Sequence, residues 1–363
     1  VKRAPILIMA GGTGGHVFPG LAVADVLRER AQPVVWLGTR RGIEARLVPA
    51  AGIDIEWISI AGVRGAGVLS WLAAPFRLAV ALVQALAVLR RRQPSAVLGL
   101  GGFVAGPGGV AAWLTRRPLV VHEQNAVAGT TNRYLARLAR RVFEAFPNSF
   151  PGDVAAELVG NPVRRAIAAL APPQERFRDR PADAPLRLLV IGGSQGARIL
   201  NHTLPEALAL LAPETRPLVW HQGGVTHAEA AQRYERLAVA ARLEPFIDDM
   251  ASAYAWADLV LCRAGALTIA ELAAAGLASV LVPFPHAIDD HQAKNAAHLC
   301  RAGAAVVIPQ SELDAARLAA ELTALLGDRQ GLRRMAEAAR AQATPAAATT
   351  IAEACLSLAE ATS

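Results

Sequence analysis

The sequence predicts an α/β protein made of two Rossmann-like domains, each built on a parallel sheet. Three observations carry this. A strand (residues 5–10), a glycine turn (GGTGGH, 11–16) and an apolar-periodic helix (about 19–30) open the chain. The same triplet returns as a strand at 186–191, a turn at 192–197 (GGSQGA) and a helix at 198–211. The strand candidates are short continuous apolar runs, as expected of parallel strands covered on both faces. At 363 residues the chain is long enough for two cores.

The elements follow in order. The second strand, 34–37, leads into Gly38, Thr39, Arg40 and Arg41. A dinucleotide site wants a carboxylate there, so NAD is disfavoured. Residues 61–92 read as a crossover helix buried against the sheet. They also hold Leu69, Trp71, Leu72 and Phe76, flanked by Arg64, Arg77 and Arg90, Arg91 and Arg92, an apolar run with a basic rim that suits an interfacial membrane contact. Strand 97–101 feeds GGFVAGPGG (101–109), where backbone must turn tightly or approach something closely. Strand 119–122 ends in HEQN, whose Asn125 is a candidate ligand group or a helix cap. VGNPVR (159–164) and the Pro- and charge-rich stretch 168–183 mark the domain boundary. The expected domains are 1–162, joined by the C-terminal helix 345–363, and 163–344.

In the second half, strand 218–221 ends in HQGG. Residues 257–262 form a buried strand, followed by a helix from about Thr268, a stop at Gly276 and a strand at 278–285. The next loop carries His286, Asp289, Asp290, His291 and Gln292 into another helix. Ligands of open α/β sheets sit beyond the carboxyl ends of the strands, so these two strand ends are where a ligand is expected. The last stretch, 332–358, is Ala-rich helix broken at Pro345.

Composition narrows the function. Hydrophobic residues make up 53% and charged ones 18%, which excludes disorder. A net charge of +7 favours an anionic partner. With only 5% aromatics and no basic block interleaved with them, nucleic acid is the weakest choice. Cys262, Cys300 and Cys355 show no paired spacing, so neither a disulfide framework nor a zinc site is indicated and a cytoplasmic protein fits. With the first strand so early, no signal peptide is expected. Residues 66–76 and 78–89 are each shorter than the roughly 18–20 apolar residues of a spanning helix, so no crossing is expected.

GGTGGHVFPGLA, GGFVAGPGG, HEQN, GNPVR, GGSQGA, FIDDM, CRAGALTIAE and PFPHAIDDHQAKNA together resemble the MurG family, the undecaprenyl-diphospho-muramoylpentapeptide β-N-acetylglucosaminyltransferases of bacterial cell-wall synthesis. The match runs in one order from the first strand to about residue 310. The resemblance implies a GT-B fold, with two Rossmann-type domains facing across a deep cleft. It implies inverting transfer of GlcNAc from UDP-GlcNAc to the C4 hydroxyl of the MurNAc-pentapeptide of lipid I, giving lipid II and UDP. It also implies a peripheral protein on the cytoplasmic face of the bacterial inner membrane, with the donor on the C-terminal domain and the acceptor and anionic membrane surface on the N-terminal one. Alternatives are another GT-B enzyme, such as a diacylglycerol glycosyltransferase or a UDP-GlcNAc epimerase, and a non-catalytic nucleotide-sugar-binding scaffold.

Each candidate residue has a plain reading beside its functional one. Thr268 and Glu271 have capping-box spacing; the resemblance makes Glu271 the ribose ligand, with Ala266, Leu267, Thr268, Ile269 and Ala270 lining the sugar and uridine side. Gln292 is a helix-start amide, or the group that reads GlcNAc hydroxyls, for which its donors and acceptor suit it. By family match Asn125 joins the donor site, and Ile247 holds uracil through its backbone. Ser194 in the second glycine turn and Arg164 are the diphosphate candidates, with Arg263 a third. No D-x-D is present, so helix dipole and Arg, without an obligatory metal or other cofactor, are expected to stabilise the leaving group. An inverting transfer needs a base near the attacking hydroxyl. His16 starts a helix whose positive end favours a neutral imidazole, a competent base. Its other reading is a donor to the acceptor diphosphate, cradled with Thr13, Gly14 and Gly15. Glu123 is a spare candidate for the base.

Overall fold

The computed structural model describes residues 3–60, 74–178, 180–181, 184–193, 196–285 and 290–361. It divides into two units, Val1–Arg164 with Thr344–Ser363, and Arg165–Ala343.

In unit 1, strands β1 (Ile6–Met9), β2 (Val34–Gly38), β3 (Asp54–Trp57), β4 (Ala96–Gly99), β5 (Leu119–Glu123), β6 (Arg141–Glu144) and β7 (Glu157–Leu158) form one sheet. Its order is β3-β2-β1-β4-β5-β6-β7, and every pairing is parallel. The helices are α1 (Gly14–Glu29), α2 (Glu44–Ala50), α3 (Ala74–Arg92), α4 (Gly102–Leu114) and α5 (Thr130–Ala136). β1 is buried throughout because its residues alternate between two cores. Leu7 and Met9 pack with residues of α3, α4 and α5, while Ile6 and Ile8 pack with α1 and with Ile351, Ala352 and Cys355 of the C-terminal helix (Ala347–Glu360).

Unit 2 repeats the plan. Strands β8 (Arg187–Ile191), β9 (Leu218–Gln222), β10 (Arg242–Glu244), β11 (Leu259–Cys262), β12 (Ala278–Leu281) and β13 (Ala305–Val307) pair in parallel in the order β10-β9-β8-β11-β12-β13. They are joined by α6 (Arg165–Ala168), α7 (Pro173–Arg178), α8 (Arg198–Ala209), α9 (His227–Arg236), α10 (Met250–Trp256), α11 (Ala266–Ala275), α12 (His291–Arg301), α13 (Ala315–Gly327) and α14 (Arg329–Ala341). In each unit the strand order reverses beside the first strand, between β1 and β4 and between β8 and β11. The glycine turns after β1 and β8 therefore sit at the switch points, where α/β sheets bind ligands.

The structure corrects several sequence expectations. Helix α1 begins at Gly14, with Thr13 as N-cap, and runs through Pro19. GGFVAGPGG enters α4: Gly101 and Gly102, at φ +89° and +76°, make the turn, and Gly108 and Gly109 serve close approach. A Cβ on Gly108 would lie 2.2 Å from Met9 Sδ, and one on Gly109 2.5 Å from Leu135 Cδ2. The stretch 168–183, which reads as a linker, contains α7, and Arg176 there donates to the carbonyls of Tyr254, Ala275 and Gly276. The last two carbonyls belong to the C-terminal end of α11, where a cation is favoured.

Candidate active site

In unit 1 the groups converge on the turn after β1. Gly12 N–H donates to Glu44 Oε2 at 2.9 Å, while Thr39 N–H and Oγ1–H donate to Glu44 Oε1 at 3.0 and 2.8 Å. Glu44 is fully buried. A Cβ on Gly11 would meet its Oε1 at 2.6 Å, and one on Gly42 its Oε2 at 1.9 Å, so glycines leave room for this carboxylate. The acid missing from the end of β2 is thus supplied by the first turn of α2, and it is spent on the turn itself. Thr13 C=O accepts from the N–H groups of His16 and Val17, both at 3.2 Å, which places His16 in the first turn of α1 with Gly14 and Gly15. Arg164 lies over the Phe18 ring at 4.6 Å, one turn further along α1.

The HEQN segment is buried beside this turn. Burial pushes the His122 imidazole down to about 4, against the raising effect of its bond to Gly160. Glu123 is 2% exposed and saturated: Oε1 accepts from the N–H and Nδ2 of Asn125, and Oε2 from Gly129 N–H and Asn132 Nδ2. With four donors on its two oxygens, this carboxylate organises the loop to α5. Asn125 caps no helix, because Gly129 is the N-cap of α5.

In unit 2 the turn after β8 is braced from β9. Gln222 donates to Gly193 C=O at 2.9 Å and accepts from Ile247 N–H at 3.1 Å, so the Ile247 N–H is engaged and its side chain is buried. Behind it, Tyr234 O–H bonds His221 Nδ1 at 3.0 Å, His221 Nε2 donates to Asn201 Oδ1 at 2.9 Å, and Asn201 Nδ2 holds Gly223 C=O at 2.8 Å. Gly196 has φ +75°, and a Cβ there would sit 2.7 Å from Gly223 C=O. Ser194 itself lies outside the described residues.

Beyond β11, α11 starts at Ala266 with Gly265 as N-cap, so Thr268 and Glu271 do not form a capping box. Glu271 is buried, 5% exposed, and accepts from Tyr254 O–H at 3.1 Å. Ala266, Leu267 and Ile269 point into the core, and Thr268 and Ala270 are the partly exposed members of the set. What residues 266–268 offer a ligand is the N-terminal backbone of a helix. Arg263 donates to the carbonyls of Val282 and Pro283 and to Gln310 Oε1, which binds it to the chain after β12 instead of leaving it for a phosphate. Gln292, in the first turn of α12, accepts from Phe284 N–H at 2.9 Å. His286 and Asp289 lie outside the described residues, and Asp249 caps α10 by accepting from Ser252 N–H.

The basic rim of α3 is weaker than its sequence suggests. Arg91 and Arg92 pair with Glu56 of β3, and Arg92 also with Asp54. Phe76 is 74% exposed, with Leu78 exposed beside it. Phe103, Trp113 and Leu114 of α4, which the sequence reading missed, are exposed as well. Leu69, Trp71, Leu72 and Arg64 lie outside the described residues. Among the described residues no helix is long and apolar enough to cross a membrane.

Residues 6–144 match the glycosyltransferase family 28 N-terminal domain, and residues 187–351 its C-terminal domain. The chain belongs to glycosyltransferase family 28. It is 59% identical over 355 residues to a UDP-N-acetylglucosamine–N-acetylmuramyl-(pentapeptide) pyrophosphoryl-undecaprenol N-acetylglucosamine transferase of Nitrosococcus oceani, covering 98% of both chains. The crystal structure of Acinetobacter baumannii MurG superposes on this family-28 chain with a TM-score of 0.83 at 43% identity, covering 98% of this chain and 100% of that one. The MurG resemblance carried by the motifs therefore holds over the whole length. A UDP-GlcNAc 2-epimerase from Neisseria meningitidis gives a TM-score of 0.66 at 12% identity, which shows the shared fold alone.

Proposed function

We propose that this chain transfers GlcNAc from UDP-GlcNAc to the C4 hydroxyl of the MurNAc-pentapeptide of undecaprenyl-diphosphate-linked lipid I, with inversion, giving lipid II and UDP. The observation that carries the reading is the 59% identity to such a transferase over 98% of both chains. The acceptor oxygen forms the new bond to the anomeric carbon while the bond from that carbon to the UDP oxygen breaks. The hydroxyl proton goes to His16, and the electron pair of the broken bond leaves with UDP. Glu123, saturated by four donors, organises the loop and is not the base.

In this reading unit 2 holds the donor. Its diphosphate meets the glycine turn braced by Gln222 and the N-terminus of α11, with Ser194 and Arg164 as further groups. Glu271, oriented by Tyr254, takes the ribose, the Ile247 backbone the uracil, and Gln292 the sugar. Asn125, Thr13, Gly14 and Gly15 complete the set, the last two beside the acceptor diphosphate. The protein works at the cytoplasmic face of the bacterial inner membrane, where Phe76 and Leu78 of α3 and Trp113 and Leu114 of α4 enter the interface.

UDP release from UDP-GlcNAc, measured with and without a lipid I analogue, tests the reading. Release that depends on acceptor, and is lost in His16→Ala while donor affinity is kept, is the expected result. Turnover of UDP-GlcNAc without acceptor would overturn it in favour of an epimerase.

A further inference from the structure

His16 ends a one-way chain of hydrogen bonds that begins at a backbone carbonyl of its own unit. Gly160 C=O can only accept, so His122 Nε2, 2.9 Å away, carries a proton. Burial keeps His122 neutral, with its pKa pushed down to about 4. A neutral imidazole has a single N–H, so His122 Nδ1 accepts, and the atom of Gln124 facing it at 3.0 Å is the amide nitrogen. That nitrogen also donates to His122 C=O at 3.1 Å, a second obligatory acceptor that fixes the amide orientation independently. Gln124 Oε1 is then the atom 2.9 Å from His16 Nδ1, and it too can only accept. The proton of neutral His16 therefore sits on Nδ1, and the lone pair on Nε2. Among the described residues Nε2 carries no hydrogen bond.

The chain has no slack. Gln124 is 1% exposed, and its own C=O accepts from the buried Asn161 Nδ2 at 2.9 Å. At the far end, Gly160 has φ +82°, and a Cβ there would strike Thr344 Oγ1 at 1.9 Å, so the carbonyl that starts the chain is fixed by packing. At the near end, the backbone of Gly101 (φ +89°) lies against the imidazole, and a Cβ would come within 3.1 Å of His16 Cε1.

We propose that Gln124 is a positioning residue for the transfer, holding His16 as the Nδ1–H tautomer so that Nε2 is the nitrogen that takes the proton of the acceptor hydroxyl. The inference rests on the transferase reading above for the identity of that hydroxyl. An amide suits the task because it cannot take up the proton itself. When Nε2 is protonated, the Nδ1–H bond to Gln124 Oε1 is unchanged, and the new proton remains on Nε2 until it passes to water.

The test uses the full-length protein with 15N-labelled histidine, the His16 signals being assigned by their loss in His16→Gln. In the wild type at neutral pH, nitrogen shifts of a protonated Nδ1 and an unprotonated Nε2 are expected. Gln124→Met, of similar length but without amide donors or acceptor, should return His16 to a mixture of tautomers. It should also lower kcat at least about tenfold, within the roughly 10²–10⁴-fold that a general base supplies, while leaving the KM for UDP-GlcNAc unchanged. A wild-type spectrum with the proton on Nε2 overturns the proposal whether or not the variant folds, and so does a folded Gln124→Met with wild-type kcat. A wild type that releases no UDP with the lipid I analogue refutes the transferase reading instead, and the tautomer spectrum still decides the relay.

Discussion

Glu44→Gln removes the charge that holds the first glycine turn without changing side-chain size. The carboxylate accepts three hydrogen bonds, from Gly12 N–H on one oxygen and from Thr39 N–H and O–H on the other. An amide keeps one oxygen. Turned toward Thr39 it preserves two bonds and sets its NH2 against Gly12 N–H, donor against donor; turned the other way it loses both bonds to Thr39. The better orientation still forfeits one charge-assisted bond, worth about 1.5–3 kcal/mol. Gly12 is exposed enough for water to replace part of the loss. The expected cost is about 2 kcal/mol, or roughly 4–8 °C in the Tm of a unit of this size. Amide exchange at Gly12 should speed up by about 30-fold, since 1.4 kcal/mol is tenfold. Because Thr13 C=O holds the N–H of His16, the loosened turn should also lower kcat. A variant with wild-type Tm and unaltered Gly12 exchange would refute the claim that Glu44 sets the turn.

Three further outcomes are expected. Gln292→Ala should raise the KM for UDP-GlcNAc or relax discrimination against UDP-GalNAc; unchanged values for both would remove Gln292 from the sugar site. Phe76→Ser with Trp113→Ser should weaken binding to anionic vesicles in a folded protein, and cosedimentation at wild-type levels would discard the docking face. His122 and His221 are pushed down to about 4 and about 3 from an ordinary 6.5, chiefly by burial, so both are neutral in the fold. The unfolded chain binds those protons first, and stability that is complete above about pH 6.5 is lost as pH falls toward 4 and 3, at up to about 1.4 kcal/mol per pH unit for each group. A Tm that is flat from pH 7 to pH 4.5 would contradict this.

The architecture was legible because its determinants are local. Apolar runs such as ILIM at β1 and LVLC at β11, short and followed by small-residue turns, fit strands covered on both faces. The repeated strand, glycine turn and helix predicted two domains of one kind, and the motif order predicted the family. Helix starts were less legible. GGTGGH and GGFVAGPGG look like breakers, yet both enter helices, because the packing of Gly108 on Met9 and Gly109 on Leu135 outweighs the poor helix propensity of glycine.

The site divides along the same line. The sequence by itself marked His16, Glu271 and Gln292 as chemistry-bearing residues at strand ends, since side-chain type and spacing are one-dimensional facts. Only the tertiary structure decided what each one faces. Glu44 touches the turn of Gly12 from another element, Arg263 is drawn to the carbonyls after β12, and Glu271 is buried under Tyr254. Gln124 acquires its place between two histidines only when β5 lies near α1. Hydrogen bonds between residues far apart in the chain leave no periodic trace in it, so which nitrogen of His16 is free could be read from the fold alone.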